Sequence, residues 1–302
     1  MGKYIDIIAR ETWGHRYGLG WGTRPLPAEY AVLHHSVTPS TAVDAPLEAE
    51  YNSVRLLDQI GYDRFKYADT GYTRPEGAGI SYTWAVPKSG RVYEGHGVER
   101  NSSHTSGYNR SGVGICLIGN YENEDVTDEQ IDAVARLLLE AVELGYLKNP
   151  RIDLNHKDVY ATACPGARAL TAKDRINERV IEIQEELEND DREGTIKEII
   201  ANSRIAGSNR WETAGLMANA ELPTNGRGLL MAADGSPDER YATARAGEGV
   251  LYLPVQAGRE SVPGHILATV KEFKPAWIRF VGGTTVVTDA AAKAVLDAAG
   301  LI

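Results

Sequence analysis

The chain has 302 residues, 42% of them hydrophobic and 25% charged, the balance of an ordinary globular protein. That length predicts two domains instead of one core. The net charge of −10, from 32 basic and 42 acidic residues, argues against nucleic acid as a partner, since no broad basic footprint is available.

The opening MGKYIDIIARETWG has no apolar run long enough for a signal peptide, and nowhere do about 18 consecutive apolar residues suggest a membrane span. Synthesis in the cytosol, without membrane insertion, is therefore expected. YAVLHHSV, from Tyr30 to Val37, reads as a β-branched and aromatic strand ending at Thr38-Pro39. A helix follows, with Leu47, Tyr51, Val54 and Leu57 on one stripe. The Gly-, Pro-, Asp- and Thr-rich stretch from Asp69 to Gly79 has the composition of a substrate-facing loop.

ISYTWAVP and RVYEGH, joined by Lys88-Ser89-Gly90, form two alternating runs around a short turn, which predicts a β-hairpin. VGICLIGN, from Val113 to Asn120, is apolar almost throughout and predicts a central buried strand. Thr127-Asp128-Glu129-Gln130 offers a capping box before IDAVARLLLEAVELG. The pattern predicts an α/β fold in which a mixed central sheet is flanked by helices. After it, residues 171–189 read as a helix ending in the acidic run EELENDDREG, which is taken as a solvated face and linker. The expected division is 1–172, a helix and acidic linker over 173–202, and a second domain over 203–302.

In that second domain the apolar runs GLLMAA, GVLYLPV and WIRFVGG alternate with the helical patterns ETAGLMANA, GHILATVKEF and DAAAKAVLDAA. Strand and helix in alternation predict a small α/β domain with a largely parallel sheet. From Arg204 onward there are 10 basic and 10 acidic residues, so all of the acidic excess lies in the first 203.

NHKDVYATACPG, from Asn155 to Gly166, places His156 and Cys164 at the two ends of a short polar loop. Three readings compete: an ordinary loop, a peptidase pair with Cys164 as nucleophile, and two ligands of a metal. The third needs another ligand, and the strand YAVLHHSV supplies a candidate. Adjacent strand side chains point to opposite faces, so only one of His34 and His35 can look toward a given site. Two imidazoles and a thiolate suit zinc, and three protein ligands leave a fourth position for water or substrate. Zinc in such a site polarises a carbonyl and lowers the pKa of its water toward ~7, which implies amide or ester hydrolysis. The only other cysteine is Cys116; a Cys116–Cys164 disulfide would remove the thiolate the metal site requires, and none is expected.

LHHSVT, ISYTWAV, SHTSGYNRSGVGICLIGN and NHKDVYATACPG, in this order, resemble the type 2 N-acetylmuramoyl-L-alanine amidases, the family of phage amidase endolysins and peptidoglycan recognition proteins. The similarity covers roughly residues 5–170. It implies zinc held by His34, His156 and Cys164, with His35 in a supporting or packing role. It implies that Tyr82 is the active-site tyrosine, whose hydroxyl hydrogen-bonds a developing oxyanion. Thr162, two residues before the cysteine, stands where relatives carry lysine or threonine, and is assigned a catalytic role. His104 and Asn109, in SHTSGYN, are expected to contact substrate. Cys116 occupies the position where cytosolic relatives have a catalytic glutamate, and reads as a small buried hydrophobe. His15, His96 and His265 have no counterpart and are taken as surface or loop histidines. A rival within the same family is a recognition module that binds peptidoglycan without cutting it; its members typically lose the cysteine ligand.

IAGSNRWETA and WIRFVGGTTVVTDAAAKAVL resemble the cell-wall-binding type 2 repeat of Gram-positive surface proteins and lysins, through Gly207, Arg210, Trp211, Thr213, Ala214 and the Gly282-Gly283 pair. The resemblance implies docking on an anionic wall polymer. A single copy, where many relatives have three, implies association of three chains. The whole reads as an endolysin made in the host cytoplasm and acting at the bacterial wall after release.

Overall fold

The computed structural model describes residues 2–18, 20–65, 79–205, 226–233, 242 and 249–302, without the side chain at 205. Two compact units divide the chain, Met1–Glu186 and Leu187–Ile302.

In the first unit a six-stranded sheet has β1 (Ile7–Ile8), β3 (Tyr30–His35), β4 (Trp84–Val86), β5 (Val92–Glu94), β7 (Gly112–Leu117) and β8 (Leu154–Asn155) in the order β1-β5-β4-β7-β3-β8. Only the β4–β5 hairpin pairs antiparallel, in the register Trp84↔Glu94 and Ala85↔Tyr93; the other neighbours are parallel. A separate antiparallel ribbon joins β2 (Trp21–Thr23) and β6 (Arg100–Asn101). The sheet is mixed, as expected. The strand expected over 30–37 ends at His35, and Val37 sits at φ 59, a left-handed conformation that a β-branched residue seldom adopts.

Every residue of β7 is buried, because helices cover both faces of this central strand. Val113, Ile115 and Leu117 join one core with Leu33, Trp84, Ile131, Val134 and Leu138. Cys116 and Ile118 join the other with Trp13, Val54, Leu57 and Ala85. The period-2 alternation of a strand sends neighbours to these opposite layers. The first layer rests on α3 (Asp128–Glu143), which starts at a complete capping box between Thr127 and Gln130, so two of the N–H groups left open at a helix start are satisfied. The second rests on α1 (Arg10–Trp13) and α2 (Leu47–Phe65). The loop expected over 69–79 lies, except for Gly79, outside the described residues.

The expected helix over 171–189 is longer: α4 runs from Ala172 to Asn202 without a break, and the boundary between the units falls inside it. The acidic run is helical, and its start is tied together by Arg179, which pairs with Glu182 at 3.1 Å and Glu186 at 2.8 Å.

The second unit has an all-parallel sheet, β11-β10-β12-β9, built from β9 (Arg204–Ile205), β10 (Gly228–Ala233), β11 (Val250–Val255) and β12 (Trp277–Val281). Its central strand GLLMAA is buried at every position, the continuous apolar run that a covered parallel strand requires. A Cβ on Gly228 would lie 2.0 Å from the Trp277 ring, so only glycine admits the indole there. Helices α5 (Gly264–Phe273) and α6 (Asp289–Ala299) complete the core with Ile196 and Ile200 of α4. Of the motif residues that carry the resemblance to the wall-binding repeat, Gly207, Arg210, Trp211, Thr213 and Ala214 lie outside the described residues, while Gly282-Gly283 follows β12 directly, with Gly282 at φ 105. Among the described residues no helix is long and apolar enough to cross a membrane.

Candidate metal centre

The site forms at the C-terminal ends of β3 and β8. His34 pairs in register with Cys116 and shares its parity, so its ring enters the layer of α2, while His35 turns to the α3 side. There the His35 Nδ1 accepts the Tyr121 N–H at 3.3 Å, which gives His35 its supporting role.

β8 lies beside β3 in the register Leu33↔Asn155, so His156 leaves the sheet one residue later at the same end as His34. The loop that follows is closed by its own backbone. Lys157 N–H donates to the Cys164 carbonyl at 2.9 Å, Asp158 accepts the Asn155 N–H at 2.7 Å, and Thr162 Oγ1 accepts the Cys164 N–H at 3.2 Å. These bonds bring the thiol back to the imidazole. The ligand atoms of His34, His156 and Cys164 all lie within 4.8 Å of one another.

The spacing matches a metal. A tetrahedral ion with bonds of ~2.0 Å to nitrogen and ~2.3 Å to sulfur holds those atoms about 3.6 Å apart, and Cys164 Sγ stands 3.5 Å from His34 Nδ1. The His35 N–H donates to the same sulfur at 3.4 Å, a contact that favours a thiolate. The His34 and His156 ring centroids are 4.6 Å apart, and Tyr160 stacks on His156 with ring centroids 5.6 Å apart. Donor type and number, and the His34–Cys164 separation, fit zinc.

Electrostatics at the site follow from burial. Desolvation lowers the His34 pKa well below its usual value, with the neighbouring His104, His156 and His35 acting in the same direction; His156 is lowered mainly by burial, then by Arg64 and His35. Both imidazoles are thereby kept neutral, the form that binds metal. Burial pushes the Cys164 thiol up to about 11, against the opposing His35 N–H. A thiol of this kind ionises at neutral pH only beside a cation.

Tyr82 leans on His34 with ring centroids 5.2 Å apart, and its hydroxyl points toward the His35 carbonyl at 3.5 Å. Desolvation, reinforced by Cys116 and Cys164, holds its pKa well above the usual value, so the hydroxyl keeps its proton. Thr162 stands beside the cysteine, its oxygen already accepting the Cys164 N–H. Cys116 is fully buried in the apolar layer expected for it.

His104, expected to contact substrate, sits against His34. It is only 5% exposed, lies behind His34 with its Nδ1 2.9 Å from His34 Nε2, and its pKa is lowered to about 3, chiefly by burial, with Arg24 acting in the same direction. Asn109 braces its own loop, its side-chain oxygen accepting the Thr105 N–H at 2.8 Å. His96 is also no surface histidine: it is 1% exposed, with Nε2 3.3 Å from the Arg24 guanidinium. His265 is exposed as expected, and His15 is half-buried with Nδ1 3.2 Å from Arg10. Sequence reasoning missed Thr105, whose Oγ1 is 3.2 Å from His34 Nε2, and Gly114, where a Cβ would fall 2.8 Å from His104 Cγ. Glycines at alternate positions of an apolar strand signal such a close approach.

Comparison with known proteins finds relatives of the first unit. The Amidase_2 family, described as N-acetylmuramoyl-L-alanine amidase, matches residues 24–167. Peptidoglycan-recognition protein 1 of Holotrichia diomphalia is 33% identical over 162 residues, which cover 53% of this chain and 75% of that protein. A peptidoglycan recognition protein of Trichoplusia ni is 32% identical over 162 residues, 54% of this chain and 82% of that one. Among solved structures, Drosophila peptidoglycan recognition protein SA is 28% identical, with a TM-score of 0.48 over 58% of this chain and 91% of that one. The chain belongs to the family of type 2 N-acetylmuramoyl-L-alanine amidases and peptidoglycan recognition proteins.

Proposed function

We propose that the first unit is a zinc-dependent N-acetylmuramoyl-L-alanine amidase, cutting the amide between the muramoyl lactyl group and the L-alanine of the peptidoglycan stem. The observation that carries the proposal is the convergence of His34, His156 and Cys164 within 4.8 Å, with a protonated tyrosine hydroxyl beside them. When bound there, zinc supplies a Lewis acid that polarises the scissile carbonyl and acidifies the attacking water. The chain does the rest. Tyr82, kept protonated by burial, donates a hydrogen bond to the oxygen as negative charge develops on it. Thr162 accepts from the Cys164 N–H through its oxygen, which leaves its hydroxyl hydrogen for the same charge. The His35 N–H holds the sulfur in place.

A second reading has support in the names of the relatives, which are recognition proteins: binding of peptidoglycan without cleavage. The complete donor set favours the enzyme, because a module that only binds has no need of a thiol aimed at two imidazoles. Digestion of purified peptidoglycan decides between them. An amidase releases new L-alanine amino groups without new reducing ends, loses activity to a chelator and regains it with zinc. Binding without new amino groups would establish the recognition reading.

For the second unit we propose anchoring to an anionic wall polymer. Its support is the resemblance of its motifs and the balance of 10 basic and 10 acidic residues from Arg204 onward, a better match to a polyanion than the acidic N-terminal portion. Tethering would raise the effective concentration of the active site at the wall, the arrangement of a phage-type endolysin. Pull-down of the full chain by intact walls, lost when the polymer is extracted, tests this.

A further inference from the structure

Behind the metal centre, on the side away from Cys164, the His34 ring meets a short chain of hydrogen-bonding groups. His34 Nε2 lies 2.9 Å from His104 Nδ1 and 3.2 Å from Thr105 Oγ1. The His104 Nδ1 lies 2.9 Å from that same hydroxyl, and the far nitrogen, Nε2, lies 3.2 Å from the carbonyl oxygen of Gly112.

The direction of every bond follows from its last member. A carbonyl oxygen only accepts, so His104 Nε2 carries a proton and donates it to Gly112. Arg24 donates to that same oxygen, and a second proton on a ring buried beside this guanidinium would be repelled. His104 Nδ1 is then a bare lone pair. Two lone pairs cannot face each other at 2.9 Å, so His34 Nε2 carries the proton and donates it. One nitrogen of His34 remains unprotonated, Nδ1, the atom 3.5 Å from Cys164 Sγ.

The geometry points to His104 as a positioning residue that fixes His34 in the Nε2–H tautomer and so presents its Nδ1 lone pair to a metal. The role rests on the metal-site reading but concerns atoms that touch neither metal nor substrate. A metal-ligating histidine is oriented through its other nitrogen, and loss of that partner weakens metal binding. Thr105 secures the arrangement. Its hydroxyl bridges both rings, and its own N–H is held by Asn109 at 2.8 Å. Gly114 leaves the space the ring needs, since a Cβ there would sit 2.8 Å from His104 Cγ. The motif stretch from His104 to Gly114 is thus explained by the back of the metal site.

The test reads the tautomer and the metal separately from activity. In the metal-free full chain, labelled with ¹⁵N-histidine, long-range nitrogen–proton correlations should show His34 protonated at Nε2; protonation at Nδ1 overturns the proposal without any variant. His104→Phe keeps the ring volume and removes the acceptor, and should weaken zinc binding by about 10- to 100-fold in competition with a chelating dye. His104→Asn places an acceptor oxygen near the Nδ1 position and should return affinity toward wild type. A Phe variant that binds zinc like wild type, or an Asn variant as weak as Phe, overturns the role. Failure of the wild-type chain to bind zinc would sink the amidase reading instead, while the tautomer of the metal-free chain still decides this one.

Discussion

Cys164 Sγ lies 3.5 Å from His34 Nδ1 across 130 residues of sequence, a contact closed by the β3–β8 register and the backbone bond from Lys157 to the Cys164 carbonyl. A ligand that binds only the folded chain stabilises it by mass action. At a zinc concentration one hundred times its dissociation constant the gain is ~2.7 kcal/mol. Thermal melting of the chelator-treated chain should show this upward shift on addition of zinc, and Cys164→Ala should abolish it. An equal shift in the variant would place the bound ion elsewhere.

The same site has a defined proton inventory. Burial keeps His34 and His156 neutral, whereas the Cys164 thiol, raised to about 11, holds its proton in the metal-free chain at neutral pH. Metal binding needs the thiolate and so displaces one proton. Apparent zinc affinity should rise about tenfold per pH unit from about pH 7 to 9. Calorimetry in buffers of different ionisation enthalpy counts the protons released; a count of zero would mean that the sulfur is not a ligand.

Much of this was legible in the chain before its structure. The alternation of YAVLHH places His34 and His35 on opposite faces, and the apolar run of β7 marks the strand that has helices on both sides. The acidic stretch after Glu185 was harder to read, because charge density suggests a linker while Glu, Asp and Arg at helical spacing also pair along a helix, as Arg179 does with Glu182. Ile196 and Ile200, four residues apart and both buried, are the periodic signal that identifies it as helix. The burial of His96 and His104 could not be read locally, since their partners Arg24, His34 and Gly112 come from distant segments.

Buried neutral histidines also make the fold sensitive to acid. His34, His96 and His104 are at most 5% exposed, and burial lowers all three pKa values, that of His104 to about 3. The unfolded chain takes up protons near 6.5 that the folded chain refuses, so stability is complete above that pH and falls as the pH drops toward the folded values. At ~1.4 kcal/mol per pH unit for each group, the metal-free chain should lose about 3–4 kcal/mol between about pH 7 and 5.5. Urea unfolding at the two values measures this, and unchanged stability would mean that these rings are protonated in the fold.

Asp58 is 1% exposed, and its carboxylate gathers three backbone donors: Arg16 N–H at 2.9 Å and Tyr17 N–H at 3.3 Å on Oδ2, and Ile80 N–H at 3.0 Å on Oδ1. It joins the turn after α1 to the segment that leads into Tyr82. Asp58→Asn keeps the shape but turns an NH₂ group toward one set of these donors, leaving buried N–H groups unpaired. The expected cost is about 3 kcal/mol, read as a lower urea midpoint. A variant as stable as wild type would show that the loops rearrange freely around the amide.

Gly61, inside α2, sets helix propensity against packing. Replacing a mid-helix glycine by alanine ordinarily stabilises by about 1 kcal/mol. Here the new Cβ would lie 1.7 Å from the Gly79 carbonyl oxygen and 3.2 Å from Ile80 N, backbone atoms that Asp58 already holds through Ile80. The helix and that segment must then move apart, and overpacking of this kind costs about 1–3 kcal/mol, which outweighs the propensity gain. Gly61→Ala should therefore lower the melting temperature. Because Ile80 leads directly into Tyr82, it should also reduce turnover more than it reduces zinc affinity, whose ligands sit on β3 and the loop after β8. A variant that melts higher than wild type would show that the close approach of α2 to Gly79 is not needed.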